Sequence, residues 1–143
     1  MKSFILPDVN VWLALTYLGH QHHAKSKAWY ASLNPDVRLC FCRQSQLGLL
    51  RLLNNPAVLQ DETLTQRQSW EIFDEWILSG RAIFLEEPAG LDRTFRRLTH
   101  YESHAPKAWA DAYLSAFAEA GEFTLITFDR AFANKTKGAV LLT

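Results

Sequence analysis

Short apolar runs alternate along this chain with longer stretches whose apolar positions recur every three or four residues. The runs Ser3–Pro7 (SFILP), Arg38–Cys42 (RLCFC), Arg81–Leu85 (RAIFL) and Thr124–Phe128 (TLITF) predict strands, and Ala139–Leu142 predicts a last one. Between them, Val9–Leu18, His22–Leu33, Gln44–Leu53, Thr65–Leu78, Pro88–Thr99 and Lys107–Ala120 carry helical spacing. Local chemistry marks their ends. Gly19-His20, Asn34-Pro35, Asn54-Asn55-Pro56 and Gly121 close helices, Thr65 stands at an N-cap position, and Pro88 stands near a helix start. Strands alternating with such helices predict crossover units, hence an α/β fold around a central parallel sheet of four to five strands. No repeat, low-complexity run or linker interrupts the pattern, so residues 1–143 are expected to form one domain.

In parallel sheets, ligands gather beyond the carboxyl ends of the strands. Asp8 directly follows SFILP and Asp129 directly follows TLITF, so two strands end in a carboxylate at that edge. Each aspartate also stands where a helix N-cap would, and capping does not preclude ligation. Asp111 is the third acid. With a helix beginning near Lys107 it is expected past the first turn, on the face of Leu114, Ser115 and Ala118, where a carboxylate among apolar neighbours is costly. Lys107, one turn earlier, offers it a weak surface ion pair instead. Three carboxylates meeting in one pocket repel one another unless a cation joins them, and an oxygen-only donor set suits Mg²⁺ or Mn²⁺ rather than zinc.

Composition narrows the classes without choosing among them. The 143 residues are 48% apolar, with five Trp, four Tyr and nine Phe, enough for a self-sufficient core. Lys plus Arg and Asp plus Glu are equal at 15 each, which excludes a general basic coat for nucleic acid but permits a local basic rim. No apolar run approaches the ~20 residues that span a bilayer, and the first residues do not read as a signal peptide. Cys40 and Cys42 alone give no disulfide framework, which suits a reducing cytoplasm.

Three segments in order then carry a resemblance: Asp8-Val9-Asn10; Trp109-Ala110-Asp111-Ala112-Tyr113-Leu114-Ser115-Ala116-Phe117-Ala118; and Ile126-Thr127-Phe128-Asp129-Arg130-Ala131-Phe132. They resemble PIN domains, and within these the VapC-type toxins of bacterial toxin–antitoxin pairs. The stretch Gln46–Pro56 resembles one branch of that family. The resemblance implies a three-layer α/β/α fold, a Mg²⁺-dependent endoribonuclease with Mn²⁺ as a substitute, a homodimer, and an antitoxin partner. Carried onto this chain, it makes Asp8, Asp111 and Asp129 the catalytic and metal-ligating acids, with Asn10 and Thr127 positioning them or a bound water. The family's usual glutamate is missing. Gly48 stands in its place, with Gln46 as the nearest polar residue, so the site would hold metal more weakly or use fewer ions. Gln46 brings an amide oxygen but no charge and no base.

Arg130, beside Asp129, is the expected phosphate contact, while Arg93, Arg96 and Arg97 fit a solvated helix face. His20, His22, His23, His100 and His104 fit helix ends and loops better than a zinc site, which needs convergent N and S ligands. Trp12, Leu15, Trp29, Trp70, Phe73, Trp76 and Ile77 recur at helical spacing as core, with Trp70, Phe73 and Ile77 forming a stripe that a partner could cover. Two other functions share these features. A phosphatase or phospho-acceptor domain also places an Asp after a strand, but Asn10 stands where one kind needs a second Asp. A PIN scaffold that binds RNA or protein without cutting would fit the missing glutamate.

Overall fold

Successive residues of each strand point to opposite faces, and that alternation sorts the core into two halves. In the computed structural model, which describes residues 3–143, five strands form one sheet: β1 (Ser3–Pro7), β2 (Val37–Phe41), β3 (Ala82–Phe84), β4 (Thr124–Thr127) and β5 (Val140–Leu141). Their order is β3-β2-β1-β4-β5, and every neighbouring pair is parallel. Ile5, Leu39, Phe41 and Ile126 face one side of the sheet, while Leu6, Cys40 and Leu125 face the other. Strands buried on both faces need apolar residues at every position, which is why they appear as short continuous runs.

Helices cover both faces. α1 (Val9–Thr16), α3 (Arg43–Leu53) and α5 (Gln66–Leu78) pack Val11, Trp12, Leu49, Leu53 and Phe73 on the first face. α2 (His23–Ser32) adds Trp29 and Tyr30 at that layer's margin. On the second face, α6 (Leu91–Leu98), α7 (Ala108–Gly121) and α8 (Arg130–Lys135) supply Leu91, Leu114, Phe117 and Phe132. The result is the expected three-layer α/β/α arrangement. The first layer centres on Trp12, fully buried, stacked on Phe41 with ring centroids 3.7 Å apart and edge-on to Trp76 at 5.2 Å.

Several elements depart from the sequence reading. α4 (Pro56–Leu59), the 3-10 turn Gln60–Glu62 and α8 are too short to show periodicity, and none was predicted. α6 begins at Leu91 rather than at Pro88, because a turn from Leu91 N to Pro88 O and the left-handed Gly90 (φ 84°) precede it. Thr65 does cap α5, in a reciprocal box with Gln68. The stripe offered to a partner is corrected: Phe73 is core and Ile77 packs against it, which leaves only Trp70 half-exposed. α5 uses that face for its own domain. Among the described residues, no helix is long and apolar enough to cross a membrane.

Phe41→Ala removes the ring between Trp12 and Phe73 and should cost about 3–5 kcal/mol of unfolding free energy. Urea titration is expected to show a lower midpoint at an unchanged slope.

Candidate active site

β1 and β4 pair side by side at the centre of the sheet, with Leu6 opposite Leu125 and Pro7 opposite Ile126. Their carboxyl ends therefore deliver Asp8 and Asp129 to the same edge. The Asp8 backbone continues the ladder by donating to Ile126 O at 2.8 Å. Its side chain is held at both oxygens, Oδ1 accepting from Val9 N at 2.7 Å and Oδ2 from Thr127 Oγ1 at 3.0 Å. Thr127 Oγ1 in turn accepts from Asp129 N at 3.0 Å. One fully buried hydroxyl thus ties the two strand ends together.

Both aspartates are N-caps, Asp8 of α1 and Asp129 of α8, where Asp129 Oδ1 accepts from Phe132 N at 3.1 Å. Asp111 arrives from the other direction. It lies in the first turn of α7, not beyond it, and is exposed rather than set among apolar neighbours. The helix dipole favours a carboxylate there and offsets part of the cost expected from sequence. Gln44 of α3 fixes this end of α7, its Nε2 donating to Ala110 O at 2.9 Å.

The three acids act on one another. Burial pushes the Asp8 carboxyl above the ordinary carboxylate range, against the hydrogen bonds from Thr127 and Val9, and the charges of Asp111 and Asp129 push the same way. Burial also raises Asp111, with Asp129 adding to the rise and Lys135 opposing it. Among the described residues, no three His, Cys, Asp or Glu side chains are gathered so as to hold a metal ion by themselves. The carboxylates share an electrostatic neighbourhood without forming a closed cage.

The remaining residues divide. Thr127 takes the positioning place expected of it. Asn10 is exposed, and among the described residues its side chain makes no hydrogen bond to any of the acids. Gln46 is buried, and its Oε1 accepts from Arg43 Nη1 at 2.5 Å, so that oxygen already carries a cation's charge. Arg130 is exposed at the start of α8, beside the acids. Gly48 lies where α3 crosses α1, and a Cβ there would stand 2.7 Å from Val9 Cγ2. Close packing of the two helices therefore leaves no room for a glutamate unless Val9 moves.

The histidines belong to other work. His23 Nδ1 lies 2.7 Å from Ala14 O, His22 stacks on Phe128 at 4.6 Å, and His100 and His104 are exposed. Cys40 and Cys42 are free and buried in the second core layer. Arg96 pairs with Asp92 and Arg97 with Glu119 on the solvated side of α6 and α7. Sequence spacing gives no sign of Gln44 as a site residue, because a contact to Ala110, 66 residues on, leaves no local signal.

The PIN domain family model matches residues 5–138. The chain is a PIN domain. It is 42% identical over 132 residues to Ribonuclease VapC41 of Mycobacterium tuberculosis, covering 90% of each chain. Among solved structures, VapC20 of M. tuberculosis, a Sarcin-Ricin loop cleaving toxin, superposes with a TM-score of 0.68 at 19% identity, over 91% of this chain and 93% of that one. VapBC2 from Rickettsia felis, bound to a DNA fragment from its promoter, superposes with a TM-score of 0.63 at 12% identity over 96% of both. At these identities the two structures speak for the fold alone. Both share the overall fold of this PIN domain.

Two expectations follow from the geometry. A raised folded-state pKa means that the native protein binds the Asp8 proton more tightly than the unfolded chain does. The carboxyl therefore costs stability increasingly as pH rises through its folded pKa. Asp8→Asn removes that cost, so without divalent ions its melting temperature at neutral pH should exceed the parent's, and the gap should close on acidification. Thr127→Val keeps the shape but leaves Asp129 N without its acceptor and should lose about 1–3 kcal/mol by urea titration.

Proposed function

We propose that this PIN domain is a divalent-metal-dependent endoribonuclease and the toxin of a toxin–antitoxin pair. The observation that carries the reading is the set of mutually repelling carboxylates at the sheet's carboxyl edge, in a chain 42% identical to a ribonuclease over nine-tenths of both. The donor set is all oxygen and anionic, which suits Mg²⁺, with Mn²⁺ as a substitute. Mg²⁺ commonly keeps several waters and takes one or two carboxylates plus a substrate phosphate, so a closed three-acid cage is not required. Asp8, clamped through both oxygens, is the fixed ligand. Asp111 and Asp129, both exposed, complete the set directly or through bound water.

When bound, the cation supplies Lewis-acid charge to a phosphoryl oxygen and lowers the pKa of a water. The chain's own residues do the positioning. Val9 N and Thr127 Oγ1 hold the Asp8 carboxylate in one orientation. Asp111 and Asp129 orient a water and take its proton in this reading. Arg130, exposed beside them, contacts the phosphate on the far side from the acids. Gln46 acts through Arg43 rather than as a ligand, and Asn10 is left to touch substrate rather than the acids. The missing glutamate at Gly48 fits a site with fewer ions. An antitoxin that covers this edge and a homodimer complete the reading.

Asp8→Asn should reduce cleavage of a mixed single-stranded RNA by at least about a thousandfold in Mg²⁺ or Mn²⁺, as expected when a fixed metal ligand is lost. Chelation should abolish the parent's activity, and calorimetry should show Mn²⁺ binding weakened in the variant. Undiminished cleavage by Asp8→Asn, or by the chelated parent, would refute the assignment.

A further inference from the structure

A cleft of about 660 Å³ opens beside the acid edge, between the start of α1, one face of α3 and the start of α7. It lies within the ~300–1,000 Å³ range of ligand clefts. Its walls continue directly from the acids: Val9 follows Asp8 and donates to its carboxylate, and Ala110 precedes Asp111. No carboxylate lines it. Its single charge is Arg51, exposed, and among the described residues Arg51 makes no ion pair, whereas Arg96 and Arg97 are both paired.

The walls are chemically divided. Leu47, 52% exposed, and Leu52 offer apolar surface next to Val9. Gln44 spends its Nε2 on Ala110 O, which ties α3 to the start of α7 along this wall. One unpaired guanidinium and an apolar wall are together the complement of a nucleotide's phosphate and base face.

We infer that this cleft seats a nucleotide flanking the cleaved bond of a single-stranded RNA, with Arg51 holding its phosphate and Leu47 and Leu52 lying against its base. The inference rests on the ribonuclease reading above. Single strands fit because their base edges and faces are free to contact protein. Charge argues the same way. The acids repel a polyanion, so the strand needs a cationic hold outside them, and Arg51 is the unpaired cation on that wall.

The test reads binding rather than turnover. A short fluorescent single-stranded RNA of mixed sequence is titrated with Asp8→Asn protein at several salt concentrations, then with the same protein carrying Arg51→Ala, Arg51→Lys or Leu47→Glu. Arg51→Ala should weaken binding about five- to tenfold and lower the salt slope by about one. Arg51→Lys should recover most of the affinity, since the charge is kept. Leu47→Glu, an exposed position that tolerates the change, should weaken binding at least as much by placing a carboxylate against the strand. Arg38→Ala, at the opposite end of the sheet, should bind as the parent does. In the cleaving protein, Arg51→Ala should raise KM while kcat holds.

Equal affinity and salt slope for Arg51→Ala and its parent would overturn the inference. So would loss of a protein partner's binding in Arg51→Ala with RNA binding intact. Neither result touches the metal assignment, which stands or falls on cleavage by Asp8→Asn.

Discussion

The hydroxyl of Thr127 is the point on which the site turns. It donates to Asp8 and accepts from Asp129 N, so one buried oxygen sets the relative position of two strand ends that carry like charges. Without such a tie, repulsion and solvation would draw the carboxylates apart. The hydroxyl meets both demands at once because an O–H is donor and acceptor together. Valine, its isostere, could do neither.

Around that tie the fold divides labour between its layers. The aromatic layer of Trp12, Phe41, Phe73 and Trp76 holds α1, α3 and α5 on one face, and the smaller layer of Leu114, Phe117, Leu125 and Phe132 holds α7 and α8 on the other. Both layers send helix N-termini to the acid edge: Asp8 caps α1, Asp111 lies in the first turn of α7, and Asp129 caps α8. Helix dipoles then favour the very charges that burial and repulsion disfavour. The opposing effects leave Asp8 raised above its ordinary range, a carboxylate that gains from a cation's arrival.

The close crossing of α1 and α3 at Gly48 has a cost and a use. A side chain at position 48 of α3 would require Val9 to move. The same approach forms part of the cleft that runs from Val9 past Leu47 to Arg51. Gly48 thus brings no anionic ligand, and the wall beside it carries the unpaired Arg51 guanidinium. The Arg43–Gln46 pair stands at the same turn of α3 and keeps a positive charge, not a negative one, near the edge.

What the chain's order of residues settled alone is the layered α/β fold and the identity of its edge acids. Continuous apolar runs need burial on both faces, helical spacing needs one face covered, and an aspartate just after a strand must fall at the carboxyl edge whatever the strand order. Those are local constraints, and Ser3–Pro7, Thr65 and Asp129 each obeyed them. Tertiary structure decided the rest. It placed Asp111 in an exposed first turn, turned Phe73 and Ile77 inward, occupied Gln46 with Arg43, and joined Gln44 to Ala110 across the molecule. Each of these depends on which surfaces meet at a distance along the chain. Periodicity says that a face is buried but not against what.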